Sequence, residues 1–375
     1  VETYVGVDIS KRRIAHLRSL QGDVALRDRT PGLTHATFLC AAAHDIERLV
    51  PGRFDTIILP SVAQYFADEV YLVDVLTQLI ETSLEPGGTI FFGDVRHKGL
   101  QSAFNLSVER HRCCPDTDIA ELRERVRRKG EQERELLLDP AFFMELRERF
   151  PQITQTEVLP KSGGFPGELN RFRYDVLIRT CGKAVDASAF AWTDGGLVDI
   201  ASIRETLATR PPVLALRALP NAWTIAAHRD ATLSLDGETV LPSSGVEPQE
   251  LRRLGAALGY RVDISLAAGH PGGSLDVLFR TNDDRPVQMP GGGAGMDTRA
   301  PAGIPLDGML RQRIVRCIRE ALESRLPAPF IPQDIVLVDS LPMTASGKLD
   351  RQKLRGIARR GTLPARTPAP RNARE

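Results

Sequence analysis

FDTIILP (54–60), followed by SVAQYF (61–66) and then by LEPGGTIFFGDVR (84–96), decides the fold. FDTIILP and TIFFGDV (89–95) are near-continuous apolar runs, the pattern of strands buried on both faces of a parallel sheet. Between them the chain from about Asp68 to Leu84 reads as a helix, and PGG (86–88) as a turn. Upstream, TYVGVDIS (3–10) is a short strand ending in an acidic residue, after which Ser10 caps a helix over KRRIAHLRSL. HATFLC (35–40) is a further strand leading into AAAHD. Strands alternating with helices of this length predict right-handed βαβ units and an α/β, doubly wound sheet. Ligands of such sheets sit at the carboxyl ends of the strands.

Downstream, residues 99–150 read as helical. The charged face ELRERVRRKGEQERELL alternates acids with bases, as a solvated helix does and a nucleic-acid patch does not. ITQTEVL (153–159) and RYDVLIR (173–179), joined by KSGGFPGELN, look like a terminal antiparallel pair. Residues 181–280 are mixed, with helices near 200–209 and 248–258 and strands VLALRAL, RVDISLA and LDVLFR. The Pro- and Gly-rich stretch from Thr281 to Gly308 reads as a linker. Beyond it, Leu310, Ile314, Cys317, Ile318, Ala321 and Leu322 fall on one face of an amphipathic helix, and PQDIVLVDSLP gives another strand.

The chain has 375 residues, enough for two or three domains. Its 49 basic and 48 acidic residues leave a net charge of +1, so no overall field gathers nucleic acid or anionic lipid. No run approaches the roughly 18 apolar residues of a membrane-spanning helix. The basic residues divide into 42 Arg and 7 Lys, so each Lys raises its own question. The five Cys form no C-x-x-C pair, which suggests a reducing cytoplasm, and no His or Cys falls at metal-ligand spacing. Val1 opens inside an apolar run and the chain closes on RTPAPRNARE, so both ends read as cuts in something longer.

YVGVDIS, FDTIILPSVAQYF and LEPGGTIFFGDVR, in this order, resemble the methyltransferase domains embedded in nonribosomal peptide synthetases, a class I S-adenosylmethionine-dependent family. LPAPFIP (326–332) and LPMTASGKLDR (341–351) resemble the last two core motifs of a synthetase adenylation domain. The resemblance implies a methyltransferase inserted into an adenylation domain. Residues 1–180 are then a class I core without its glycine-rich first strand and loop, and 181–280 the α+β remainder of the insert. Residues 281–308 are a linker, 309–360 the small α+β C-terminal adenylation subdomain, and 361–375 a lead toward a carrier domain. The piece alone is expected to bind the methyl donor poorly. GGGAG (291–295) follows no convincing strand and opens no helix, so it is not a cofactor loop.

The resemblance assigns candidate roles. Asp8, with Ile9 beside it, stands where the family places a carboxylate on the cofactor ribose; the alternative is a strand-end helix cap. His44 and Asp45 match the adenine-contacting position. Ser61 and Val62 line the methyl-transfer cleft after Pro60, where relatives often carry Asn. Tyr65 and Asp94 are candidate acceptors near the amine, and His97 is the candidate base if carbon is methylated. The alternative for Asp94 is a simple ion pair with Arg96. Lys348 matches the adenylation lysine that reaches the substrate carboxylate and α-phosphate, with Gly347 allowing close approach. The implied cofactors are S-adenosylmethionine, ATP with magnesium, and phosphopantetheine on the adjoining carrier. The implied partners are that carrier, the large adenylation subdomain and a small MbtH-like accessory protein. Nitrogen is the expected methyl acceptor, with carbon or sulfur methylation, or a non-catalytic docking insert, as alternatives.

Overall fold

The computed structural model describes residues 2–291, except 24, 25, 27, 28, 31, 33, 34, 51, 114–116, 236–241, 243 and 282–284, and beyond them only 322 and 332. The chain divides into two compact units, Val1–Pro305 and Leu306–Glu375. Apart from Leu322 and residue 332, the adenylation-like segments 309–360 and 361–375, with the helix expected on Leu310 to Leu322, and nearly all of GGGAG therefore lie outside the described residues.

Strand β1 (Tyr4–Asp8) runs parallel to β2 (Ala36–Cys40), with Asp8 opposite Cys40. Helix α1 (Lys11–Gln21) follows β1, and Ser10 Oγ caps it by accepting the Arg13 N–H. After β2, a 3-10 turn at Ala43–Asp45 leads into the short α2 (Ile46–Leu49). Then come β3 (Phe54–Pro60), α3 (Glu69–Gln78) and β4 (Leu84–Arg96), with β3 and β4 parallel. Asp68 caps α3 by accepting the Tyr71 N–H at 2.7 Å, and Leu72, Val73, Val75 and Leu76 bury its inner face. A π turn at Leu79–Ser83 delivers the chain into β4. Only glycine fits at position 88, because a Cβ there would stand 2.9 Å from the Asp55 carbonyl oxygen of the neighbouring strand.

Helices α4 (Gln101–Arg112), α5 (Ile119–Glu131) and α6 (Pro140–Arg149) occupy the stretch read as helical. The charges of α5 pair along its exposed face, Arg125 with Glu121 and Arg127 with Glu124 and Glu131. β5 (Gln155–Pro160), α7 (Glu168–Phe172) and β6 (Arg173–Arg179) complete a sheet of order β3-β4-β6-β5, with β6 antiparallel to both neighbours. Past β7 (Val185–Asp186) come β8 (Trp192–Asp194), α8 (Ile200–Ala208), β9 (Val213–Leu219), α9 (Ile225–Leu235), α10 (Pro248–Leu258), β10 (Arg261–Ser265) and β11 (Leu275–Arg280). These strands form a second sheet of order β10-β11-β9-β8.

The α/β class expected from the sequence is the class observed, but three details differ. First, the parallel strands do not form one sheet: among the described residues no strand joins β1 to β3. The free edge of β3 leaves Ile58 58% exposed, so FDTIILP is not buried on both faces. Second, residue 180 is not a domain boundary. One core runs through Ile90, Phe92, Val158 and Tyr174 of the first sheet and Leu216, Val277 and Phe279 of the second. The Leu266 N–H donates to the Val158 carbonyl at 2.9 Å, stitching the sheets together.

Third, the expected linker at 281–308 begins too early. β12 (Val287–Gln288) pairs with β7, and Val287, Gln288 and Met289 are buried. The Gln288 side-chain amide accepts the Thr156 N–H at 2.9 Å and donates to the Thr156 carbonyl at 3.3 Å. One side chain thus substitutes for a peptide group along the edge of β5, which a Pro- and Gly-rich composition does not reveal. Gln288→Ala should cost about 1–3 kcal/mol by leaving the buried Thr156 N–H unpaired. Urea unfolding of the variant measures this, and an unchanged midpoint would return the segment to the linker.

Candidate active site at the strand ends

The carboxyl ends of β3 and β4 carry two non-glycine residues in the left-handed region, Ser61 at φ 52° and Asp94 at φ 60°. Such backbone costs of order 1–3 kcal/mol per residue and persists where surrounding bonds hold it. Here those bonds converge. Ser61 N–H donates to the Gly93 carbonyl at 2.9 Å, and Ser61 Oγ donates to Asp94 Oδ2 at 2.7 Å. The Asp94 N–H donates to Asp175 Oδ1 at 2.9 Å. Lys161 Nζ lies 2.7 Å from Asp94 and 2.8 Å from Asp175. The pairing of β4 with β6 shifts register between Phe92 and Val95, and this irregularity turns Asp94 out of the ladder.

Burial pushes the Asp94 carboxyl up, but the hydrogen bonds from Lys161 and Ser61 outweigh it and hold the group below the usual carboxylate value. Burial likewise pulls Lys161 down, and its two carboxylate partners reverse this and raise it. Asp94 is therefore a fixed carboxylate already neutralised by a cation. It is a weak proton acceptor and a strong positioning element. The alternative pairing of Asp94 with Arg96 does not occur: Arg96 instead meets Glu133 at 2.8 Å and Glu135 at 3.0 Å.

Val62 and the exposed Tyr65 follow Ser61 in a 3-10 turn at the same end of the sheet. At the end of β1, Asp8 Oδ1 accepts the Ser10 N–H at 2.7 Å and Oδ2 meets Arg13 at 3.4 Å. Ser10, not Asp8, caps α1; the carboxylate makes a local turn and stays part-exposed beside the exposed Ile9. His44 Nδ1 lies 2.8 Å from the Tyr71 hydroxyl, and Tyr71 packs edge-on against Phe66. This contact ties the end of β2 to the turn after β3. Asp45 pairs with Arg48 at 3.4 Å.

His97 does not join this group. It is buried, its N–H bonds the Phe172 carbonyl, and its ring packs edge-on against Tyr174. Burial lowers its pKa from 6.5 to about 4, so the imidazole is neutral near pH 7. Lys348 lies outside the described residues. Lys161 and Asp175 escaped the sequence reading; the scarcity of lysine raised the same question of all seven and did not single out Lys161. Among the described residues no cluster of three or more His, Cys, Asp or Glu could hold a metal ion, and no helix is long and apolar enough to cross a membrane.

No family model matches the chain. Among characterised proteins, Chondramide synthase cmdD of Chondromyces crocatus is 34% identical over 401 residues, covering 100% of this chain and 10% of the relative. The chain is thus similar, end to end, to an internal region of nonribosomal peptide synthetases. Cyclosporin synthetase simA of Tolypocladium inflatum is 30% identical over 84% of this chain and 2% of its own length. The Beauvericin nonribosomal cyclodepsipeptide synthetase BEA1 of Gibberella fujikuroi is 29% identical over 96% of this chain and 12% of its own length. The synthetase resemblance read from the sequence is borne out, and the chain spans a small fraction of each relative. Among solved structures, the plantazolicin methyltransferase BamL aligns at 13% identity with a TM-score of 0.30, over 48% of this chain and 68% of that one. The Podospora anserina methyltransferase PaMTH1 aligns at 14% identity with a TM-score of 0.27, over 48% of this chain and 61% of that one.

Two measurements test the site. Lys161→Met leaves Asp94 and Asp175 facing each other, and should cost about 1–3 kcal/mol at neutral pH. The penalty should shrink in acid as one carboxylate protonates; a penalty independent of pH would mean the lysine contributes only packing. For His97 the folded pKa lies below the unfolded one, so the unfolded chain binds the extra proton. Its contribution is therefore complete above about pH 6.5 and is lost as pH falls toward 4. The native protein should lose on the order of 2 kcal/mol more than His97→Phe between about pH 7 and pH 5, read by urea unfolding at both values.

Proposed function

We propose that this region transfers a methyl group from S-adenosylmethionine to the amine of an aminoacyl thioester held on a carrier, inside a synthetase that first activates that amino acid with ATP. The observation that carries the reading is the strained Ser61–Asp94 pair locked by Lys161 and Asp175 at the carboxyl ends of parallel strands, where ligands of α/β sheets bind. Similarity to the synthetases supplies the setting.

The residues fit the cofactor. The Asp8 carboxylate ends a strand, is part-exposed, and among the described residues meets one local N–H and the open Arg13 side chain, so a ribose diol can reach it. Ile9 offers an exposed apolar surface beside it, and His44 and Asp45, in the turn after the adjacent strand β2, would hold the adenine. The bound cofactor supplies an electrophilic methyl on a sulfonium. The amine nitrogen would donate its lone pair to that methyl as the carbon–sulfur bond broke, and the new ammonium would release one proton to water.

Alignment carries most of such a step. A free α-amine has a pKa of about 8, so a useful fraction is already unprotonated near neutral pH. Ser61, Val62 and Tyr65 would line the approach, and Tyr65, being exposed, would stand beside the path by which the proton leaves to water. The Lys161-bound Asp94 fixes the cleft and removes no proton. This favours nitrogen over carbon methylation, which needs a base able to take a proton next to the thioester. In the same synthetase Lys348 would neutralise the acyl-adenylation transition state on ATP, and phosphopantetheine would present the acyl group.

The complete module, supplied with methyl-labelled cofactor, should give a carrier-bound product one methyl heavier, and fragmentation should place the label on nitrogen. Label on carbon or sulfur, or no label, overturns the proposal. In the same assay Asp8→Ala should raise the KM for the methyl donor about tenfold or more, the equivalent of about 1.5–3 kcal/mol of charge-assisted hydrogen bonding, with a smaller effect on kcat.

A further inference from the structure

The chain leaves the cleft at Lys161 and returns to it at Asp175. Between them run a loop at 162–167, α7 and the start of β6. Along β6, Arg173 and Asp175 are partly exposed while Tyr174 and Val176 are buried, so the first two share one face of the sheet. On that face Asp175 accepts from Lys161 and from the Asp94 N–H. Arg173 lies two residues away along the strand, roughly 7 Å at about 3.3 Å per residue. Its charge also helps to hold the Asp94 carboxyl below the usual carboxylate value.

Arg173 borders a cavity of about 170 Å³ whose other charged walls are Arg96, Glu135 and Glu168, with Phe104 and Phe172 beside them. Arg96 is already engaged by Glu133 and Glu135. Glu168 and Arg173 differ: among the described residues neither side chain makes a hydrogen bond or an ion pair, not even with the other. Both can be reached. The unpartnered nitrogens of His97 and Gln101 are sealed from solvent, whereas Glu168 is exposed and Arg173 partly so.

The lining carries two Arg and two Glu, so it favours neither a net cation nor a net anion. It suits a neutral group with a donor at one end and an acceptor at the other, and a secondary amide is the compact case. Hydrogen bonds to charged partners are roughly twice as strong as neutral ones. A free amino acid has the same polarity, but both of its charges must be stripped of water.

We propose that this cavity seats an amide of the arm that presents the acyl thioester, with Glu168 accepting the amide N–H and Arg173 donating to its carbonyl oxygen. The identity of the occupant rests on the methyl-transfer reading; the ligand class, a secondary amide flanked by methylenes, rests on the cavity. In a pantetheine thioester the amide nitrogen stands three bonds from sulfur, about 3.6 Å when extended, and its carbonyl oxygen lies beyond. That matches the step from Asp94 to Arg173, and the methylenes on either side of the amide would lie against Phe104 and Phe172.

The test has two arms. In the first, pantetheine is titrated into this chain beside an analogue with an ester oxygen in place of the amide nitrogen nearest sulfur, with saturation-transfer NMR as readout. Pantetheine should bind about tenfold more tightly, the worth of one hydrogen bond to a charged group. Glu168→Ala should erase the difference, and Arg173→Met should weaken both ligands. If Arg173→Met fails to fold, the exposed Glu168 decides alone. No binding of pantetheine, equal binding of the ester, or tighter binding of glycine, a zwitterion without an amide, overturns the ligand class. In the second arm, the complete module is given alanyl thioesters of pantetheine and of butanethiol, which has no amide. Glu168→Ala should lower the pantetheine-to-butanethiol ratio of kcat/KM about tenfold, mainly through KM. An unchanged ratio overturns the assignment to the arm. Absence of transfer in the unaltered module overturns the methyl-transfer reading instead, and the first arm still decides what the cavity binds.

Discussion

Lys161 stands between two carboxylates that belong to different strands, and the site takes its shape from that charge. Asp94 comes from the irregular end of β4, Asp175 from β6, and the lysine from the residue after β5. Without the cation, two part-buried carboxylates would face each other, and one would have to take up a proton. With it, Asp94 stays ionised and holds Ser61, and two residues remain in a backbone region they would otherwise avoid. The antiparallel pair β5–β6, which contributes no catalytic group of its own, thereby sets the geometry at the end of the parallel pair β3–β4.

The different surroundings of Asp94 and His97 follow from the same strands. Asp94 and His97 are three residues apart, yet they sit in different environments. Asp94 is part-exposed and charged, and His97 is sealed and neutral. The bulge before Val95 re-aims the chain between them, so sequence proximity does not become a shared site. The candidate base for carbon methylation is thereby separated from the cleft where a substrate would lie.

Much of the architecture was legible from residues. The apolar runs at 54–60 and 89–95 became strands, Ser10 and Asp68 became caps, and the alternating charges of α5 became pairs along one exposed face. These are local properties, and local pattern records them. What stayed hidden depends on contacts far apart in the chain. The Lys161–Asp94–Asp175 cluster joins three segments, and nothing near Lys161 announces that it is more than a loop lysine. Helix α9 carries little amphipathic pattern because it packs against α4 and α5 in a small core of its own. The exposed edge of β3 was equally unreadable, since a run of isoleucines has the same composition whether or not a neighbour pairs with it.

The Gln288 amide, clasped to both backbone groups of Thr156, has a mechanical meaning as well as an energetic one. It lies just before the point where the chain leaves the described part of the first unit, and its anchor is on β5, five residues ahead of Lys161. A tug arriving along the polypeptide from residue 290 onward meets the buried Met289 and then this clasp. Holding, it shields the lysine; yielding, it frees the edge of the strand that carries the lysine to its carboxylates. The segment that composition marks as slack is thus the strain relief of the site.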